Sequence, residues 1–181
     1  MMPNDQDECC KVVFSATKSK CPACGAVGKS VSSFTVSLFL RDPRLYLHEE
    51  SLPPGSYYMC ETRSCPTVYF TDRGVQFSKT DIRVKVWQKE DDPKVPACYC
   101  FDNSVVTIQN EIIQTGGTDV ISRIGAEVRA GNCRCEVTNP QGSCCLGNVT
   151  KAVKIAKENL SQPAPVVSSK KTNVSLSEST L

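Results

Sequence analysis

Between Ser30 and Gln88, apolar and polar residues alternate in short runs. Phe34-Thr35-Val36-Ser37-Leu38 has period two, as do Val75-Gln76-Phe77 and Ile82-Arg83-Val84-Lys85-Val86-Trp87. Tyr57-Tyr58-Met59 and Val68-Tyr69-Phe70 are short aromatic runs, and Asp72-Arg73-Gly74 is a turn signal. A strand sends successive side chains to opposite faces, so these five runs are predicted as β-strands. Lys89-Glu90-Asp91-Asp92-Pro93-Lys94 reads as a charged, proline-containing linker, and the domain boundary is placed there. Past it the period becomes helical. Asn103 or Ser104 can cap a helix carrying Val105, Ile108, Ile112 and Ile113, stopped by Gly116-Gly117. Thr118 can cap a second, with Ile121, Ile124 and Val128 on one face. Asn132 to Gly142 reads as a loop, and Ser143 can cap a third helix running through Ala152, Val153 and Ile155. The resulting map is α+β. A flexible arm spans 1–19, a small zinc-ribbon-like β domain 20–92, a helical domain 93–159 and a disordered Ser/Thr/Pro/Lys-rich tail 160–181.

Composition narrows the function classes. Hydrophobic residues make up 40% of 181, so two small cores would each be thin and would need staples, which metals can supply. Basic and acidic side chains, 21 and 19, are well mixed for a net charge of +2, which argues against nucleic acid as a partner. No apolar run approaches the ~20 residues of a membrane span, so membrane insertion is not expected. Met1 to Asp7 is polar and acidic, without the apolar core of a secretory signal. Twelve cysteines in such a chain point to a reducing, cytoplasmic setting, where cysteine clusters more often bind metal than pair as disulfides. The alternative is a secreted disulfide framework whose leader has been removed; the Met1-Met2 start speaks against it.

The cysteines fall into two groups. Cys21-Pro22-Ala23-Cys24-Gly25 is a zinc knuckle: two intervening residues let both thiolates converge on one ion, and Gly25 permits the tight turn. Cys60 and Cys65 lie between two aromatic strands, where a turn can present both as the second half-site. Four thiolates close a tetrahedral shell around zinc, so a structural role is expected. A redox Cys-x-x-Cys would need a βαβ context, and none is found. His48, the only histidine, is expected at the surface. The second group is Cys98-Tyr99-Cys100, Cys133-Arg134-Cys135 and Cys144-Cys145, placed at the ends of the predicted helices. Helix N-termini favour anionic thiolate-ligated groups, and six thiols are offered where a [2Fe–2S] cluster needs four. A second zinc is the alternative, weakened by the one-residue Cys-x-Cys spacing. Cys9 and Cys10 are spare thiols suited to a soft ion such as Cu(I), or an unligated pair with no role. No Ser/His/Asp set and no phosphate-cradling glycine loop is present, so the chain is not expected to be an enzyme unless it reduces a metal ion.

Several segments taken together carry a resemblance over about residues 20–158. The spacing Cys98-x-Cys100, with two short helices and later cysteines, resembles the bacterioferritin-associated ferredoxin-like [2Fe–2S] module. More closely, four segments look like the N-terminal domain of CopZ-type copper chaperones. They are the Cys-Pro-x-Cys-Gly knuckle, Tyr57-Tyr58-Met59-Cys60 through Cys65 to Phe70, Cys98-Tyr99-Cys100, and Cys135-Glu136-Val137-Thr138-Asn139-Pro140 through Cys144-Cys145. The resemblance implies zinc on Cys21, Cys24, Cys60 and Cys65. It implies a [2Fe–2S] cluster on Cys98, Cys100, Cys135 and Cys145, with Cys133 and Cys144 as alternates. It further implies a metallochaperone of copper or soft-metal homeostasis, with the cluster reducing Cu(II) to Cu(I) for delivery to a P-type ATPase. Such chaperones carry a further heavy-metal domain with its own Cys-x-x-Cys, whereas this sequence ends in the polar tail. Copper is therefore expected on Cys9 and Cys10 or on a separate heavy-metal-associated domain. The alternatives are a small [2Fe–2S] electron-transfer protein without a copper role, and a structural zinc-ribbon adaptor.

Overall fold

A computed structural model of the chain describes residues 19–42, 44–46 and 48–161. Cys9, Cys10, nearly all of the predicted arm and the tail beyond Ser161 lie outside the described residues. Four short strands form one antiparallel sheet in chain order: β1 (Lys29–Val31), β2 (Tyr57–Met59), β3 (Thr67–Thr71) and β4 (Gln76–Ser78). The predicted turn at Asp72-Arg73-Gly74 joins the last two, with Gly74 at φ +84°, a conformation that costs glycine little. β3 is buried along its whole length because both its faces are covered. On one face Tyr58 and Phe70, cross-strand partners, stack with ring centroids 5.5 Å apart beneath Cys21, Cys60 and Cys65. On the other, Tyr57, Met59, Tyr69 and Phe77 pack with Val36, Phe39 and Ile82.

Two predicted strands are not strands. Residues 34–38 lie in a helix, α1 (Ser33–Phe39), whose first turn is capped by Ser32 Oγ accepting from Phe34 N at 3.1 Å. The alternation misleads because the polar positions are buried too. Thr35 Oγ1 donates to Glu136 O at 2.9 Å and Ser37 Oγ to Phe34 O at 2.8 Å, so both hydroxyls are satisfied in the interior. Residues 82–86 bend at Arg83 and Val84, while Ile82 and Val86 are extended and buried as period two requires. Their polar groups, however, serve the end of α1. Arg83 donates from N to Phe39 O and from Nε to Leu38 O, and only an isolated bridge, Leu40 to Ile82, forms. The segment then closes into a single 3-10 turn, Trp87–Lys89.

The helical part contains α2 (Val105–Thr115), α3 (Val120–Arg129), a short α4 (Cys135–Thr138) and α5 (Leu146–Ser161). Ser104 caps α2 through a reciprocal box with Thr107, and Gly116 ends it at φ +79°. Asp119 holds the cap position of α3, while Thr118 Oγ1 accepts from Val120 N at 3.2 Å. Ile108, Val120, Ile124, Val149, Ala152 and Ala156 build the core between them. Ile113, Ile121 and Ile155 face outward instead. Two further expectations fail here. The predicted loop 132–142 contains α4, and Ser143 does not cap α5: its hydroxyl is buried without a hydrogen-bond partner and the helix starts three residues later. Tyr69 Oη, from the centre of the sheet, donates to Pro140 O at 2.5 Å and ties this loop to the β part.

Candidate metal centres

The knuckle is a closed backbone turn. Cys21 N donates to Ala26 O and Gly25 N to Cys21 O, both at 2.8 Å, and Gly25 sits at φ +73°. This aims the Ala23 and Cys24 N–H groups at the Cys21 sulfur and the Ala26 N–H at the Cys24 sulfur. Cys60, at the end of β2, donates its N–H to Val68 O at 2.9 Å, and a turn closed by Cys65 N to Thr62 O returns Cys65 to the same place. All four Sγ atoms lie within 4.8 Å of one another, with Cys21–Cys65 at 3.9 Å and Cys24–Cys60 at 3.6 Å. A tetrahedron with Zn–S near ~2.3 Å needs sulfurs about 3.8 Å apart, so the residues present fit zinc. Cys21, Cys60 and Cys65 are buried and Cys24 is exposed. Burial pushes the Cys21 thiol up to about 11, while the Ala26 N–H, then the Thr62 hydroxyl, hold Cys24 down to about 6. Cys24 is thus the sulfur through which the site meets solvent. His48 is exposed and stands apart from the four sulfurs.

Two residues beside this site were invisible in the sequence. Lys89 is 2% exposed, and its ammonium donates to Thr62 O at 2.7 Å and Cys65 O at 3.2 Å. Four thiolates around a divalent ion leave net negative charge, which a buried cation offsets. Gly28 is the second such residue. A Cβ there would lie 2.4 Å from the Phe70 ring and 2.8 Å from Tyr58 Cβ, under the metal site. Gly28→Ala is expected to cost about 1–3 kcal/mol by overpacking and to speed zinc release to a chelator. Unchanged melting and release rates would contradict the packing argument.

The second group, Cys98, Cys100, Cys135 and Cys145, is joined by contacts between pairs of thiols, whereas only the first four cysteines, among the described residues, have all their sulfurs within 4.8 Å of one another. Cys100 Sγ lies 3.7 Å from Cys135 Sγ. The Cys145 thiol neighbours both Cys98 and Cys135. These neighbours raise Cys145, and Cys145 is the main reason that Cys98 is lowered and Cys135 falls to about 6. Cys100 is raised by burial, against the Thr138 hydroxyl at 2.9 Å and the Arg134 N–H at 3.4 Å. The Phe101 and Cys100 N–H groups face the Cys98 sulfur. Cys98 and Asn103 close this loop by a mutual backbone pair at 3.1 Å, with Asp102 at φ +48°. Cys145 directly precedes α5, and its carbonyl accepts from Asn148 N and Val149 N in the first turn. Cys133 reaches Cys135 with its side chain and is half-buried, as is Cys144. The donor set is four sulfurs with N–H and hydroxyl donors around them, which fits a thiolate-ligated anionic group. Thr138 was hidden in the sequence because α4 was.

Fold and first site together define a four-cysteine zinc-binding β domain with a helical cysteine-rich extension. Residues 18–83 match a family described as a zinc binding domain of the CopZ type. The chain is similar to the copper chaperone CopZ of Archaeoglobus fulgidus, with 30% identity over 132 residues, 70% of this chain and 57% of that protein. It thus spans little more than half the length of that relative. The X-ray structure of the Archaeoglobus fulgidus CopZ N-terminal domain is similar with a TM-score of 0.57 and 28% identity, covering 74% of this chain and 96% of that domain. Among the described residues no helix is long and apolar enough to cross a membrane.

Proposed function

We propose that the chain is a metallochaperone of copper homeostasis, with structural zinc on Cys21, Cys24, Cys60 and Cys65 and a [2Fe–2S] cluster on Cys98, Cys100, Cys135 and Cys145. The helical part is read as a bacterioferritin-associated ferredoxin-like module. The observation that carries the reading is the second sulfur group, in a chain similar across most of the CopZ N-terminal domain. When bound, a [2Fe–2S] group supplies a one-electron couple at that site. The chain's own residues hold the four sulfurs, direct N–H groups at Cys98 and Cys100, and keep Cys98, Cys135 and Cys145 away from water. Cu(II), the substrate, takes one electron and leaves as Cu(I). A low-potential one-electron donor protein replaces that electron, and dithionite stands in for it in the test. The Cu(I) passes to a soft-thiolate acceptor: Cys9 and Cys10, a separate heavy-metal-associated domain, or an exporting P-type ATPase.

Metal analysis and a visible spectrum of anaerobically purified protein test the reading. Red-brown protein with about two irons and one zinc per chain is expected. Dithionite-reduced, desalted protein is then expected to convert about one Cu(II) per chain to Cu(I), trapped by a Cu(I)-specific chelator. Iron without copper reduction would favour a plain electron-transfer protein. Colourless protein holding two zincs would leave a structural adaptor.

A further inference from the structure

The one-turn helix Trp87–Lys89 bonds to segments that carry both cysteine groups, and each of its residues reaches a different place. Trp87 N donates to Tyr99 Oη at 2.9 Å, and Tyr99 stands between Cys98 and Cys100. Tyr99 Oη in turn donates to Lys85 O at 2.8 Å, just before the turn. Gln88 Nε2 donates to Gln141 Oε1 at 2.6 Å, and Gln141 lies in the loop between Cys135 and Cys145. Lys89 Nζ donates to Thr62 O and Cys65 O in the loop of the zinc half-site.

Gln141 is the far end of this relay. Its Oε1 also accepts from Asn148 Nδ2 at 2.9 Å, and its Nε2 donates to Ser143 O at 3.0 Å and Cys144 O at 2.7 Å. The side chain therefore grips the backbone immediately before Cys145. Gln88, Gln141 and Asn148 are all buried, and Gln141 has every amide donor and acceptor used. A buried amide with every donor and acceptor used, as in Gln141, resists displacement, since any shift leaves a polar group unpaired. A buried ammonium with two fixed carbonyl acceptors is constrained in the same way.

We propose that the turn Trp87–Lys89 couples the two centres, so that metal in the first site fixes the sulfur geometry of the second. Metal holds Cys60 and Cys65; their loop holds Lys89; the turn holds Tyr99 and Gln141; these set Cys98, Cys100 and Cys145. Gln88, Lys89 and Gln141 are positioning residues in this scheme. The iron–sulfur identity of the second group rests on the function proposed above, but the coupling does not.

The test loads the full chain with Zn(II) or the larger Cd(II) at the first site, then with iron and sulfide, and compares the visible circular dichroism and midpoint potential of the second centre. Both are expected to differ between the Zn and Cd forms of the wild type. Gln88→Leu is expected to keep one zinc per chain yet lose most of that difference. Lys89→Met is expected to release iron to a chelator several-fold faster, and Lys89→Arg to restore the wild-type rate. Identical spectra and potentials for the Zn and Cd forms of the wild type would overturn the coupling. If the wild type takes up no iron, the functional reading fails, and the coupling is read from alkylation of Cys145 in zinc-loaded protein. Several-fold faster alkylation in Gln88→Leu and Lys89→Met than in wild type would support it, and equal rates would overturn it.

Discussion

Cys60→Ser is expected to lose zinc and, with it, the order of residues 19–28 and 60–66, while α2 and α5 stay folded. Cys60 is fully buried, 3.6 Å from Cys24 Sγ, and its N–H is bonded to β3. A serine hydroxyl does not replace a thiolate at neutral pH. The buried cluster on this face consists of Cys21, Cys60 and Cys65 around the Tyr58 and Phe70 rings, so without metal little but one aromatic pair remains. Apparent binding energies of structural zinc in small peptides run to ~10–16 kcal/mol, and in such sites binding energy is folding energy. The effect should stop short of global unfolding, because Val36, Tyr69, Phe77 and Ile82 form a separate core on the other face and α2, α3 and α5 form a third. Zinc content and amide hydrogen exchange check this. Wild-type protection at residues 20–28 after zinc loss would show that the ion is no staple.

Cys145→Ser is expected to abolish the second centre, with Cys144→Ser and Cys133→Ser leaving it in place. Cys145 is central to that group: its thiol neighbours both Cys98 and Cys135, it is 2% exposed, and its carbonyl accepts from Asn148 N and Val149 N in the first turn of α5. Cys144 and Cys133 are half-buried at the rim. A cluster held by four thiolates has no replacement for one of them in a serine hydroxyl. Iron per chain should fall from about two to a small fraction in Cys145→Ser, with zinc unchanged in all three variants. Iron retained in Cys145→Ser but lost in Cys144→Ser would make Cys144 the fourth ligand.

The cysteine spacing alone was enough to separate two groups and to pick Cys21, Cys24, Cys60 and Cys65 as one site, because a knuckle is a local turn and its chemistry is written in adjacent residues. The aromatic strands at 57–59 and 68–70, the cap at Ser104 and the stop at Gly116 were legible for the same reason: each depends on contacts a few residues apart. Tertiary packing decided the rest. Phe34 to Leu38 alternates like a strand but folds as α1, because Glu136, about a hundred residues away in sequence, supplies the carbonyl that lets Thr35 be buried. Ile82 to Val86 keeps its period but gives its hydrogen bonds to the end of α1 rather than to a fifth strand. Lys89 looks like part of a solvated charge run, yet it is buried because two loop carbonyls are fixed to receive its ammonium. Gln88, Gln141 and Asn148 carry no periodic signal, since each amide's partners come from another part of the chain. A sequence records which groups can bond or ligate; which buried polar group finds its partner is settled only when distant segments meet.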